Sequence, residues 1–259
     1  MSYILLILLV ILYLFDFIVF LWLTGSHQIL PWRWYLLSSA WFKLLRLCWL
    51  TDSNEHINAM QQLETLNQHF FLWLNATPQT PAFAMTLATL LAEWLIYLLP
   101  VLLLAMWSLG NSTTRQTALK ALLTALLALG LAQVIGYLWP HPRPFMLELG
   151  HTWLAHAPEA SFPSDHATLC FSIGIALLLS RWFWTGFATV LLGLLVGGAR
   201  VYLGVHFPLD VAGALLLALP CAWLTGYGLS RTGLDGWLEC RLYRLWLWLP
   251  QIAKGNHTP

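Results

Sequence analysis

Five apolar stretches, at about 84–109, 118–139, 166–179, 183–199 and 209–229, limit what this chain can fold into. In hydrocarbon, every backbone N–H and C=O must find its partner within the segment that crosses, so such stretches become helices rather than open strands. A further run from Tyr3 to Leu23 is long enough to cross, and it lacks the basic leader and small-residue cleavage site of a signal peptide. It reads as a retained helix. Only 9% of the 259 residues are charged, whereas a soluble domain carries about a quarter; most of the surface therefore meets lipid. The fold class expected is all-α: a polytopic transmembrane bundle with a core of five or six helices. A formal net charge of +1 gives no basic footprint for nucleic acid.

Ahead of that core, residues 31–50 mix tryptophan and leucine with Arg33, Lys43 and Arg46, which suits a helix lying in the interface. Polar residues 51–62 break this pattern. From Leu63 to Phe83 the chain is amphipathic and ends in Thr77-Pro78-Gln79-Thr80-Pro81, an interfacial helix followed by a turn. The division expected is an N-terminal extension over 1–62 and one domain over 63–259. Residues 242–249 read as a short interfacial anchor. Cys48, Cys170, Cys221 and Cys240 have no metal-ligand or redox spacing and are taken as small buried hydrophobes. Two carboxylates fall inside apolar runs, where they are costly. Asp16 reads as a structural hydrogen-bonder; Glu93 either pairs with an arginine or lines a substrate crevice, with a purely structural network as the alternative.

The remaining polar residues gather in three short motifs beside the apolar runs: Pro142-Arg143-Pro144-Phe145, Phe162-Pro163-Ser164-Asp165-His166, and Arg200 followed by His206 and Asp210. Two arginines, two histidines, a serine and an aspartate in so apolar a chain need a charged partner, and an anionic ligand is the simplest. The set contains the parts that phosphoryl transfer requires. Arg143 and Arg200 can fork onto non-bridging oxygens. His206 can attack phosphorus while Asp210, four residues on, fixes its tautomer. His166 can protonate the leaving oxygen. Pro208 suits a helix start, which places His206 just before the helix and Asp210 within it. Ser164 suits an N-cap, and the amides of Asp165 and His166 at that helix start, with the Ser164 hydroxyl, can hold phosphate oxygens. No metal or other cofactor is required by this scheme. His151 and His156, in the loop between the first two motifs, read as solvent-exposed.

Arg143-Pro144, then Pro163-Ser164-Asp165-His166, then Arg200, His206 and Asp210 in Arg-x5-His-x3-Asp spacing together resemble the three-part signature of the type 2 phosphatidic acid phosphatase (PAP2) superfamily. From about Leu63 onward the chain is similar to bacterial undecaprenyl-diphosphate phosphatases of the bacitracin-resistance type, with Leu74-Asn75-Ala76-Thr77-Pro78 and Pro140-His141-Pro142-Arg143-Pro144-Phe145 carrying the likeness. The resemblance implies hydrolysis of undecaprenyl diphosphate through a phosphohistidine, in recycling of the cell-wall carrier lipid. Gly136 departs from the pattern: the superfamily usually has lysine there, seven residues before the arginine. That contact is left to His141, to another donor, or unmade.

The loops holding the motifs are separated by two helices and so open on one side of the membrane. The other side carries Arg115, Lys120, Arg181, Arg231, Arg241, Arg244 and Lys254. The positive-inside rule then places the site outside the cytoplasm, which for the implied family means the periplasmic face of a bacterial inner membrane. The partners expected are the membrane and a lipid phosphate; nothing bears on oligomeric state. The alternatives are another lipid phosphatase or phosphotransferase, acting on phosphatidylglycerophosphate, phosphatidate or lipid A, and a catalytically silent lipid-binding protein.

Overall fold

The computed structural model describes residues 53–255, with side chains defined over 58–248. The expected helix over 3–23 with Asp16, the interfacial helix over 31–50 and Cys48 lie outside the described residues. The chain divides into two compact units, one up to Asn75 and one from Ala76. In the first, helix α1 (Ser53–Leu74) starts earlier than the expected 63 and ends before the proline-rich turn. Its polar face is knit at i, i+4 spacing, Gln68 Nε2 donating to Glu64 at 3.1 Å and the Thr65 hydroxyl to the Gln61 carbonyl at 2.7 Å.

The second unit contains α2 (Ala82–Glu93), a 3-10 turn at Leu95–Tyr97, α3 (Leu98–Leu109), α4 (Ser112–Leu138), a 3-10 turn at Pro144–Leu147, α5 (Asp165–Leu179), α6 (Phe183–Tyr202), α7 (Pro208–Thr232) and α8 (Leu234–Gly255). There is no strand among the described residues. The segment Ala82–Leu109 forms one apolar span of 28 residues, and α4, α6 and α7 form spans of 27, 20 and 25 residues. These match the expected runs to within three residues at each end, except that α4 starts six residues before the expected 118. Local chemistry sets the ends. Asn111 caps α4 by accepting the Thr114 N–H at 2.9 Å, Pro208 opens α7 without wasting a donor, and Gly233, at φ +69°, closes it.

Helix α5, of 15 residues, lies at the centre. In α5 every residue from Cys170 to Leu177 is buried, because α4, α6 and α7 all pack against it, and a helix apolar all round has no face to spare for solvent. Gly174 lets α5 approach α6 closely; a Cβ there would lie 2.8 Å from the backbone nitrogen of Val190. The outer faces are apolar too. Phe83, Leu109, Tyr137 and Trp184 are each at least three-quarters exposed, a pattern that fits lipid rather than water.

Helix α8 is fastened to the start of α4 by two ion pairs, Arg115 Nε to Glu239 at 2.5 Å and Lys120 Nζ to Asp235 at 2.7 Å. The Arg115 guanidinium also lies 3.7 Å above the Tyr243 ring. The expected anchor over 242–249 is thus the later part of a long helix tied to the end of the bundle away from the motifs. At the opposite end α4 and α6 finish while α5 and α7 begin, which brings the loops 139–164 and 203–207 together.

Candidate active site

His206 sits on the tight link between α6 and α7. Gly204 there adopts φ +83°, and a Cβ on it would collide with the carbonyl oxygen of His151, so glycine alone fits without strain. Asp210 stands in the first turn of α7 and is 1% exposed. Its Oδ2 accepts the Phe207 N–H at 2.8 Å and faces His206 Nδ1 at 3.2 Å. The Ser161 hydroxyl donates to the same oxygen in a short hydrogen bond.

The other ring nitrogen, Nε2, lies 3.1 Å from Arg143 Nη1. A guanidinium only donates, so Nε2 carries the lone pair and Nδ1 carries the hydrogen that points to Asp210. Both neighbours enforce one tautomer, with the Nε2 lone pair turned to Arg143. Burial pushes the His206 imidazole down to about 4 against the opposing pull of Asp210. The ring is therefore neutral near neutrality, and its contact with Asp210 is a hydrogen bond rather than an ion pair.

Arg143 is 4% exposed. It donates Nε to the Glu159 carbonyl at 3.1 Å, Nη2 to the Ala160 carbonyl at 3.2 Å and Nη1 to the Val205 carbonyl at 3.2 Å. With the contact to His206, four of its five N–H groups are engaged. Burial draws its pKa down, partly offset by Asp210, Asp165 and Glu159. Arg200, in the last turn of α6, is 2% exposed and makes one long hydrogen bond, Nη1 to the Ala92 carbonyl at 3.4 Å. Its Nε has no protein partner, and neither does the fully buried Ser164 hydroxyl. Ser164 occupies the N-cap position of α5 without making a capping bond. Buried donors left open are costly, and an anion held between them would satisfy both. The first amides of α5, at Asp165 and His166, have no intrahelical acceptor and add to the same potential.

His166 is partly buried and within electrostatic reach of Arg200, His206 and Arg143. The Asp165 carboxylate is turned to Gln133, which donates Nε2 to it at 3.1 and 3.2 Å. His141 lies beside the neighbour of His206, its ring centroid 5.7 Å from Phe207 and 5.1 Å from Trp139. Gly136 borders a cavity of about 360 Å³ lined also by Gln133, Glu159 and Asp165. Glu93 ends α2 with its side chain exposed and makes no ion pair with any described residue. It is the adjoining carbonyl, of Ala92, that meets Arg200. Among the described residues no three His, Cys, Asp or Glu side chains converge as metal ligands.

Two residues outside the expected set belong to this cluster. Ser161 is fully buried against Asp210; on the sequence it is one more loop serine, although its place next to Phe162 at the edge of the second motif is a signal that could have been followed. His156, expected to be solvent-exposed, is instead half-buried, with its ring centroid 6.4 Å from that of His206. His151 is exposed, as expected.

Residues 117–232, which carry all three motifs, match the PAP2 superfamily. The chain is 38% identical over 157 residues to the putative undecaprenyl-diphosphatase YbjG of Escherichia coli K12, an alignment that covers 61% of this chain and 79% of that protein. It is 38% identical over 134 residues to the undecaprenyl-diphosphatase BcrC of Bacillus subtilis 168, covering 52% and 69% respectively. Among solved structures, Aquifex aeolicus LpxE superposes with a TM-score of 0.50 at 26% identity, over 62% of this chain and 94% of that one. A PAP2-type phosphatidylglycerolphosphate phosphatase from Bacillus subtilis gives a TM-score of 0.51 at 22% identity over 76% and 96%, a likeness of fold alone. A helical bundle of this topology, the three motifs closed into one polar cluster, and relatives of this similarity lead to one conclusion: the chain belongs to the PAP2 superfamily.

Proposed function

We propose that this protein is a membrane lipid-diphosphate phosphatase that hydrolyses undecaprenyl diphosphate to undecaprenyl phosphate and phosphate through a phosphohistidine on His206. The observation that carries the reading is the arrangement about that ring: Nδ1 on buried Asp210 at 3.2 Å and Nε2 under Arg143 at 3.1 Å. A core histidine would need only one such partner.

In the first step His206 Nε2 attacks the terminal phosphorus, the P–N bond forms and the bridging P–O bond breaks. His166 delivers a proton to the departing lipid phosphate. Arg143, Arg200, the Ser164 hydroxyl and the first amides of α5 hold the equatorial oxygens, the main electrostatic contribution in such transfers. As His206 becomes cationic, Asp210 balances it. In the second step water attacks the phosphohistidine, giving its proton to His166 and releasing phosphate. Asp165 acts through its amide, its carboxylate being held by Gln133. His141 and Glu93 stand as positions bordering the site.

The substrate's lipid character is supported by the site's place at the end of a lipid-facing bundle, where a headgroup can be held while its chain stays in hydrocarbon. The undecaprenyl chain and the diphosphate are supported by the names of the two relatives; carrier-lipid recycling and bacitracin resistance rest on the resemblance of the motifs alone. A bacterial inner membrane with the site on the periplasmic face is supported by the basic residues at the far end of the bundle. A lipid A phosphate and phosphatidylglycerophosphate, alternatives already open on the sequence, are the next substrates to try.

The test is phosphate release from undecaprenyl diphosphate by purified protein in detergent with EDTA, beside His206→Ala, phosphatidylglycerophosphate and lipid A. Release by the wild type from the undecaprenyl lipid and none by the variant is the expected result. Preference for another lipid, or turnover by His206→Ala, overturns the substrate or the mechanism respectively.

A further inference from the structure

The loop 139–164 crosses the mouth of the site and is pinned on both sides of His156. On one side Trp153 donates its backbone N–H to the Leu203 carbonyl at 2.9 Å and its indole Nε1 to the Ala76 carbonyl at 2.9 Å. On the other, the Ser161 N–H reaches the His141 carbonyl at 2.8 Å, and Arg143 holds the carbonyls of Glu159 and Ala160. The arc between these anchors is short, so the position of His156 is set by the same hydrogen bonds that set Arg143.

The His156 ring stands at 70° to the His206 ring, 6.4 Å away. Its Nδ1 lies 3.1 Å from the Ala157 carbonyl. A carbonyl only accepts, so Nδ1 carries a hydrogen and Nε2 is the atom left to meet a ligand. Arg143, Arg200 and Glu159 act on this ring electrostatically, and so does the neighbouring His166. An imidazole 6.4 Å from the His206 ring and within electrostatic reach of both arginines stands close enough to meet an oxygen of a phosphoryl group held between them.

We propose that His156 is a substrate-binding residue of this site, its Nε2 donating a hydrogen bond to a non-bridging oxygen of the anionic headgroup. This rests on the phosphoryl-transfer reading above. Burial first, then Arg143 and Arg200, hold the imidazole below its usual pKa, against the Ala157 carbonyl and Glu159. Incoming phosphate charge offsets both arginines, so one proton is taken from solvent on binding, and Nε2 becomes a donor. No bond to phosphorus is made or broken by His156.

The experiment measures binding of inorganic phosphate by calorimetry in detergent, across pH 5.5–8, for the wild type, His156→Ala and His156→Gln, with kcat and KM for undecaprenyl diphosphate on the same samples. At the acid end, the alanine variant is expected to bind phosphate about tenfold more weakly than the wild type, the loss of one charge-assisted hydrogen bond. That ratio should shrink as pH rises and the wild type ceases to gain its proton. Gln, which keeps a donor but cannot titrate, should recover part of the affinity and give a ratio to alanine that does not change with pH. The loss should appear in KM more than in kcat. Equal phosphate affinity in wild type and alanine variant at every pH, or a deficit in the alanine variant that is the same at every pH, overturns the proposal. Failure of the phosphatase reading looks different: the wild type itself then fails to turn over the lipid, whatever the phosphate titrations give.

Discussion

Replacing Asp210 by Asn separates charge from geometry at His206, the proposed nucleophile. The amide oxygen can occupy the Oδ2 position, because the Phe207 N–H at 2.8 Å requires an acceptor there. The same oxygen still accepts from His206 Nδ1 and Ser161. The new NH₂ then falls where Oδ1 now sits without a partner. The tautomer and the fold survive, and only the negative charge is lost. That charge faces the Nδ1 side of the ring at 3.2 Å. Against the cationic ring formed on attack, at an effective dielectric of about 20, it is worth about 5 kcal/mol. Asp210→Asn should therefore lower kcat by about 10³–10⁴-fold, with KM close to wild type and a modestly lower melting temperature, because the new NH₂ is a buried donor without an acceptor. The assay is phosphate release under saturating lipid, paired with a melting curve in the same detergent to show that the variant is folded at the assay temperature. A kcat within tenfold of wild type would refute the electrostatic reasoning.

The pH dependence follows from His206. An unfolded imidazole titrates near 6.5 and the folded one at about 4, so between these values the unfolded chain binds more protons. Stability is full above about 6.5 and should fall by about 3 kcal/mol as pH drops to about 4, visible in melting temperature against pH and reduced in His206→Gln. Arg200→Ala should cost about 10²–10³-fold in kcat/KM by removing a buried donor to the transition state, and Arg200→Lys should recover little, since a point charge cannot reproduce the fork; both are read by steady-state kinetics. Ser161→Ala removes one of three donors to Asp210 Oδ2 and should lower kcat about tenfold without raising KM; Ser161→Thr, if accommodated, should restore part of it. Gly204→Ala forces a Cβ onto the His151 carbonyl at positive φ and should destabilise by about 1–3 kcal/mol, seen as a lower melting temperature.

The helices were legible because hydropathy in a bilayer leaves the backbone little choice, and the match at α4, α6 and α7 reflects that. Arg143, Ser164, His166, Arg200, His206 and Asp210 were legible because charge in so apolar a chain is conspicuous and its spacing repeats a known pattern. Ser161 and His156 were not. Their places depend on Trp153 reaching Leu203 and on Arg143 reaching Glu159 and Ala160, hydrogen bonds between residues far apart in sequence that no periodicity encodes. Ser164 was legible both as a cap and as a phosphate ligand, two roles the sequence leaves compatible; that its hydroxyl makes no capping bond is visible only in the structure. Glu93 shows the converse, a conspicuous charge whose neighbouring carbonyl, rather than its own carboxylate, is what Arg200 touches.

The brevity of α5 bears on how deep the chemistry takes place. Its 15 residues rise ~22 Å at 1.5 Å each, whereas the hydrocarbon layer is ~30 Å thick. Arg181, exposed just beyond its far end, keeps that end at water, so the shortfall of ~8 Å falls at the end that carries His166. A phosphorus reacting at that end lies below the plane of neighbouring headgroups, and the water that hydrolyses it must reach the same depth. A thicker bilayer increases that depth and a thinner one reduces it, which makes the host membrane's thickness a control on turnover.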